Sequence, residues 1–168
     1  MKKPLSGVAS SQQPRAIPDW NAWKFLVGEW VSEGWGEPGQ GIGTFSFITD
    51  LQGRVLIRRD HTDYPANKFR AAVLHDSFMV IYVDSETSLT RATYFDNEGH
   101  VIQYAVTISA DGNTVTFLSD RLPSRPTFRL TYTNTRPGEL ELEFEIAAPD
   151  EPEQFTKYVG ATARRKAT

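Results

Sequence analysis

Short segments with strand periodicity, separated by turn residues, fill the chain from Gly28 onward. Apolar and polar residues alternate most clearly over residues 139–147, where glutamates at odd positions face away from apolar residues at even positions. Turn chemistry interrupts the alternation at residues 36–39, 51–53, 65–67, 84–86, 96–99, 110–113, 122–124, 136–138 and 149–151. These nine turns imply about ten strands, and the short links favour a hairpin meander. The sequence therefore predicts an all-β fold.

The predicted strands must dispose of their two outer edges, and closure into a barrel removes both. Before Gly28, Asp19 is a candidate helix N-cap, followed by an apolar segment that includes Trp20 and Trp23. We predict a single antiparallel up-and-down β-barrel of about ten strands with one short N-terminal helix of about ten residues. Residues 1–17 are polar and contain several prolines, so they are predicted to be a flexible tail, and residues 18–168 the barrel domain.

Composition excludes several classes of site. The 168 residues include no cysteine and only three histidines, which excludes disulfides, zinc–thiolate sites and thiolate nucleophiles, and no metal site is predicted. Eighteen basic and 21 acidic residues give a net charge of −3, which disfavours nucleic-acid binding. No apolar run approaches the ~20 residues of a membrane-spanning helix, so no membrane insertion is predicted. The compartment is left open: the sequence as given fits a cytoplasmic protein, and it equally fits a secreted or periplasmic protein whose signal was removed.

The segment ending in Gly28-Glu29-Trp30 joins the predicted helix to the first strand. This Gly-x-Trp resembles the calycin superfamily, which includes the lipocalins, and the chain is similar to bacterial lipocalin-like proteins. Such barrels end with an Arg or Lys that stacks near the Trp. The resemblance therefore implies that Gly28, Trp30, Arg164 and Arg165 are structural signature residues, and that the interior binds a ligand.

The continuation of this segment is similar to the nitrobindin family of haem-binding barrels, with Ser32 in place of one glycine of a Gly-x-Trp-x-Gly-x-Gly-x-Gly pattern. That family carries its haem-ligating histidine on the last strand, whereas this sequence has no histidine after His100. Tyr158 lies nearest the expected position, and tyrosine can bind haem iron. No cofactor is predicted, and haem with a non-histidine ligand is the alternative.

Residues 58–64 form the most polar predicted strand segment. Strand phase places Arg59 and His61 on one side with Val55 and Ile57. The opposite side carries Leu56, Arg58, Asp60, Thr62 and Tyr64. If the Val55 side faces inward, Arg59 and His61 enter the barrel near one mouth, where Arg59 can bind a carboxylate in bidentate fashion. The alternative is that both reach solvent or pair with a neighbouring acid. No catalytic residue is assigned.

Three further residues are candidates for lining a cavity. His100 and Tyr104 share a predicted inward face with apolar residues of one strand, and Tyr132 does so on another. Tyrosine offers a polar hydroxyl on an apolar ring, which suits a ligand site. The alternative is a filled core in which each polar group is satisfied internally.

The function predicted from these features is the binding of a small, mainly apolar molecule inside the barrel, with a carboxylate as one candidate for its polar group. Three alternatives remain open at this point. They are haem binding of the nitrobindin type, a cofactor-free barrel enzyme using His61 and Arg59, and a scaffold or interaction module that includes a homodimer among its forms.

Overall fold

Ten antiparallel strands account for most of the chain in the computed structural model, which describes residues 16–167. The strands are β1 (Gly28–Gly36), β2 (Gly41–Asp50), β3 (Val55–Tyr64), β4 (Val73–Val83), β5 (Thr90–Asp96), β6 (Val101–Ile108), β7 (Thr114–Ser119), β8 (Thr127–Arg136), β9 (Glu139–Ala147) and β10 (Phe155–Arg165). Each strand pairs with the next, and β1 pairs with β10. The predicted closed up-and-down barrel is confirmed.

The first strand, β1, pairs with the last strand, β10, and this seam closes the barrel. The register of β1 on β10 runs from Trp30 opposite Arg165 to Gly36 opposite Val159. A short-linked meander leaves only its first and last strands without a second neighbour, so this one seam satisfies both remaining rows of backbone hydrogen-bonding groups. The predicted tail of residues 1–17 lies almost wholly outside the described residues.

The helix predicted to begin after Asp19 is wrong in length and type. The structure has a 3₁₀ helix at Asn21–Trp23, continued by one turn in which the Leu26 amide donates to the Trp23 carbonyl at 2.8 Å. Trp20 is held by a hydrogen bond from its indole Nε1 to the Gly53 carbonyl at 2.7 Å, and Trp23 and Leu26 are buried. Aromatic residues have only modest helix propensity, and these tertiary contacts decide the local conformation.

The barrel has two different ends. At the helix end, where β1 begins and β10 finishes, Trp23 and Leu26 cover the interior, and the Trp23 ring packs edge-on against Phe117 at 6.1 Å. The far end is formed by the connections from β1 to β2, β3 to β4, β5 to β6, β7 to β8 and β9 to β10. The helix end is therefore the capped end of the barrel.

The hydrophobic core is the barrel interior. Its large buried side chains include Trp30, Phe45, Phe47, Phe117 and Leu140. Within residues 16–167, no helix is long and apolar enough to cross a membrane.

Candidate functional site

Strand β3 directs Arg58, and not Arg59, into the barrel. Leu56 is fully buried and lies opposite the equally buried Ile81 of β4. Because alternate residues of a strand face opposite sides, Arg58 and Asp60 follow Leu56 inward. The inward orientation predicted as one option for Arg59 and His61 is therefore wrong, since both side chains lie on the outer face.

The buried guanidinium of Arg58 makes two hydrogen bonds. Its Nη1 donates to the Ser77 hydroxyl at 2.8 Å, and its Nη2 donates to Oδ2 of Asp60 at 2.9 Å. The side chains of Arg58 and Asp60 are only 7% and 9% exposed, so this is a buried ion pair. Thr62 donates a further hydrogen bond to Oδ1 of Asp60 at 3.3 Å. A buried charge requires such partners, because desolvation is costly.

Aromatic rings surround the guanidinium. Its Cζ lies 5.8 Å from the ring centroid of Phe45 and 5.9 Å from that of Tyr132. Burial opposes the charged form, but the neighbouring Tyr132 and Asp60 outweigh it and raise the pKa of Arg58. Arg58 is therefore charged at neutral pH.

Two buried polar atoms in this region, Nε of Arg58 and the hydroxyl of Tyr132, make no hydrogen bond of normal length and angle. The two side chains are neighbours, and their weaker mutual hydrogen bond helps to raise the pKa of Arg58. Burial raises the pKa of the Tyr132 hydroxyl to about 12, so the group is protonated at neutral pH. Buried polar groups in folded proteins are rarely left unsatisfied, and each exception calls for an explanation.

The two tyrosines predicted to line the interior are both buried there. Tyr132 lies among Phe45, Phe47 and Phe117, with ring centroids between 5.4 and 6.2 Å away. The Tyr104 ring packs edge-on against Phe117 at 6.0 Å. Edge-on and tilted aromatic contacts of this kind pack the rings of the barrel interior against one another.

His100 does not line the interior, contrary to the prediction. It lies in the turn before β6, and its side chain is 61% exposed. Its Nδ1 is 2.8 Å from Oδ2 of the buried Asp96, whose other contacts include a hydrogen bond from the Tyr94 hydroxyl. Burial raises the pKa of Asp96, but hydrogen bonds from the His100 backbone amide and side chain outweigh it and lower the pKa overall.

His75 extends this chain of polar groups at the far end. Its Nε2 lies 3.0 Å from the Tyr94 hydroxyl, and its Nδ1 lies 3.3 Å from Glu98. Burial is the main cause that raises the pKa of Tyr94. His75 and Tyr94 carry no local signal in the sequence, because only the pairing of β4 with β5 brings them together.

Arg59 and His61 line a shallow groove on the outer surface. The groove has a volume of about 700 Å³ and crosses β1 to β5. Arg59 stacks on the Phe78 ring, with Cζ 4.8 Å from the centroid, and Nδ1 of His61 lies 2.7 Å from Oδ1 of Asp76. The hydrogen bond to Asp76 raises the pKa of His61. The sheet separates both residues from the interior, so a barrel enzyme using His61 and Arg59 inside is not what the chain forms.

Three of the four signature residues, Gly28, Trp30 and Arg165, meet at the helix end. The Arg165 guanidinium lies 4.4 Å from the Trp30 ring centroid and donates hydrogen bonds to the Val27 and Phe25 carbonyls at 2.5 and 3.0 Å. Gly28 has φ +131, and a Cβ there would lie 2.3 Å from Nη1 of Arg165. Arg164 instead points outward, 83% exposed, near Glu139. Arg165 is thus the residue that covers Trp30.

The residues present do not fit a haem. Neither His61 nor His100 enters the interior, and both ring nitrogens of His75 already have partners. Tyr158 is 38% exposed at a β-bulge in β10, where its ring packs against Phe144. Among the described residues, no group of three or more His, Cys, Asp or Glu side chains could hold a metal ion.

No protein-family model matches the sequence, and no curated protein matches it significantly. Among solved structures, the chain is similar to Rv2717c from M. tuberculosis, with a TM-score of 0.59 and 11% identity over 88% of this chain and 97% of that one. It is also similar to the S-type phycobiliprotein lyase CPES from Guillardia theta, with a TM-score of 0.53 and 9% identity over 87% and 91% of the two chains. The similarity shows a shared barrel fold.

Proposed function

We propose that this protein is a calycin-like barrel that binds a small, mainly apolar molecule in its interior. The observation that carries the proposal is the buried polar cluster of Arg58, Asp60 and Tyr132 in an otherwise aromatic interior, where Nε of Arg58 makes no hydrogen bond of normal geometry. An unsatisfied buried donor costs about 1–3 kcal/mol, so a partner supplied by a ligand would recover free energy that the protein alone forfeits.

The surroundings support an apolar ligand body with one polar group. Phe45, Phe47 and Phe117 pack around Tyr132, and binding sites for small molecules combine such apolar walls with a few convergent polar groups. We assign to Arg58, which lies on the inner face, the binding of the ligand's polar group that the sequence suggested for its neighbour Arg59. Tyr104 and Tyr132 remain proposed lining residues, whereas His61 and His100 do not.

The experiment is native mass spectrometry of the protein purified from the organism that encodes it, together with an absorbance scan. We expect an adduct of small-molecule mass and no Soret band. The adduct should be lost or strongly reduced in Arg58→Met and Tyr132→Phe, and retained in Arg59→Met, which changes the adjacent arginine on the outer face.

An adduct that survives equally in all three variants would place the ligand outside the interior. A wild-type protein free of any adduct would favour the scaffold interpretation. A Soret band would restore the haem alternative. Near-ultraviolet circular dichroism of each variant tests whether a lost adduct reflects a loss of side-chain packing.

A further inference from the structure

Phe69 projects from the far end of the barrel on a braced turn between β3 and β4. Its side chain is 85% exposed, more than any other large apolar side chain among residues 16–167. The Asn67 amide donates to the Arg70 carbonyl at 2.9 Å, and the Phe69 amide donates to Oδ1 of Asn67 at 2.8 Å. Lys68 and Arg70 flank Phe69 in sequence, and Lys68 Nζ lies 4.7 Å from its ring centroid. The turn therefore presents an aromatic ring beside two basic residues.

A pocket of about 260 Å³ lies at the same end of the barrel, between the β7–β8 and β9–β10 connections. We call it the proline pocket, since three of its seven lining residues are prolines; the lining is Arg121, Leu122, Pro123, Arg125, Thr127, Pro149 and Pro152. Proline rings, Leu122 and the arginine stems offer apolar surface. A cavity of about 150 Å³ suffices to hold a benzene ring. The proline pocket therefore has room for a phenylalanine side chain.

The Phe69 turn and the proline pocket lie on opposite sides of the far end. The turn joins β3 to β4, and the pocket lies halfway round the ring of ten strands, between the connections that follow β7 and β9. With neighbouring strands about 4.8 Å apart, such a ring is at least about 15 Å across, so Phe69 does not reach the pocket of its own chain. Two far ends placed face to face about a twofold axis bring each turn onto the other copy's pocket, because a twofold contact is made twice.

The charges of the two sides are complementary. The turn carries Lys68 and Arg70, whereas the 148–154 connection beside the pocket carries three acidic residues and no basic residue. Of the two arginines that border the pocket, Arg121 is paired with Glu153, with Nη2 2.5 Å from Oε1. An anionic membrane would attract the turn but repel the acidic connection at the same end. A second copy of the chain satisfies both sides.

We infer that the far end is a dimer interface, in which Phe69 of each copy inserts into the proline pocket of the other. The two rings leave water, and the basic turn of each copy faces the acidic connection of its partner, which favours this orientation over others. The inference concerns the outer surface at one end of the barrel and does not depend on a ligand in the interior.

Sedimentation velocity of the full chain over a hundredfold range of protein concentration tests the interface. The mass should rise with concentration toward twice the 18.9 kDa of one chain. Phe69→Ser should raise the dissociation constant of the dimer at least tenfold. The matched control is Leu89→Ser, which removes an apolar side chain that is 62% exposed in the β4–β5 connection at the helix end. The control should leave the dissociation constant unchanged.

A mixture of two variants tests the twofold arrangement itself. Phe69→Ser keeps the pocket and lacks the ring, whereas Leu122→Arg keeps the ring and obstructs the pocket. A mixed dimer forms one of the two contacts, so the mixture should associate more tightly than either variant alone and less tightly than the wild-type protein. Lys68→Glu leaves the ring in place and should weaken the dimer severalfold, and added salt should weaken the wild-type dimer by screening the charges.

A wild-type protein that stays monomeric at the highest concentration overturns the inference. If that monomer instead sediments with vesicles of phosphatidylserine and phosphatidylcholine, and Phe69→Ser does not, the turn binds a lipid surface. A dimer that Phe69→Ser leaves intact, or a mixture that associates no more tightly than its components, also overturns the inference. Circular dichroism of each variant checks the fold, which replacement of an exposed side chain should preserve.

Discussion

Two adjacent arginines of β3 occupy opposite environments. Arg58 is buried with Asp60 and Ser77, while Arg59 is exposed and stacks on Phe78. Removing one partner of a buried ion pair leaves the other charge uncompensated, whereas an exposed cation–π contact contributes little.

This contrast predicts different costs for the same substitution. Arg58→Ala should lower the free energy of unfolding by roughly 3–5 kcal/mol because Asp60 loses its counter-charge. Arg59→Ala should cost less than about 1 kcal/mol. Urea denaturation of both variants measures the difference, and equal costs would contradict the orientation of β3.

Strand alternation alone could not choose the inner face of β3. Both faces carry apolar residues, and the two β-branched residues Val55 and Ile57 make the outer face look more like a core face. The choice depends on neighbours: Ile57 lies opposite Ile48, which is 46% exposed, while Leu56 lies opposite the buried Ile81. Such pairing is non-local, and strand phase alone therefore allows Arg59 at the inward position that the structure gives to Arg58.

At the level of the elements, glycine at position 28 is required by both conformation and space. Its φ of +131 is a conformation that side chains rarely adopt, and the space beside it is filled by the Arg165 guanidinium. The start of β1 and the end of β10 are therefore fixed to each other through one small residue.

Gly28→Ala should destabilise the protein by about 1–3 kcal/mol from backbone strain, with a further loss because Arg165 must leave Trp30. The control is Gly112→Ala, where φ is +72 and nothing lies within 4 Å of the added Cβ. That variant should cost only about 1–2 kcal/mol for its left-handed conformation. The melting temperatures of the two variants are measured by thermal unfolding monitored by circular dichroism. A larger loss of stability in Gly112→Ala than in Gly28→Ala would contradict the requirement for glycine at position 28.

Strands with strong local signals were predictable as elements. The strand predicted over residues 139–147 is β9, Glu139–Ala147, because alternating glutamates and apolar residues define its two faces without reference to neighbours. The segment after Asp19 was not predictable in this way. Its conformation depends on Gly53, 33 residues from Trp20, which accepts the indole hydrogen bond.

For the whole molecule, titrating groups on the turns and strand ends set the pH range of stability. Hydrogen bonds lower the pKa of three carboxyl groups. The backbone amide of Thr87 donates to Asp84, the Ser109 hydroxyl donates to Asp111, and the Arg136 guanidinium donates to Glu139. A carboxyl group whose pKa is lower in the folded than in the unfolded protein stabilises the folded state at pH values above its ordinary pKa. That contribution is lost as the pH falls through the lowered values.

The contribution of His61 to stability has the opposite pH dependence. Its pKa is raised by Asp76, so its contribution is fully present below its ordinary value of 6.5 and is lost as the pH rises through the raised value. We therefore expect the urea midpoint to fall steeply in acid and slightly above neutral pH. In a plot of the urea midpoint against pH, Asp111→Asn should reduce only the fall in acid, and His61→Gln only the fall above neutral pH. A midpoint that is independent of pH would contradict both assignments.

The connectivity of the molecule followed from local sequence, whereas the content of its interior did not. Turn residues lie close to the chain segments that they reverse, so each of the nine connections had its own local signal. The polar cluster depends on Arg58 of β3, Ser77 of β4 and Tyr132 of β8 meeting across the barrel. Their meeting depends on the register of several strands at once.

The seam between β1 and β10 has a consequence for how the chain is made. Trp30 cannot meet Arg165 until the last strand has left the ribosome, and at about 5–20 residues per second that takes roughly 7–27 s after β1 emerges. During this interval the free edges of β1 and of the newest strand can pair with other nascent chains. Production of the protein in cells should therefore depend on chaperones that shield growing chains.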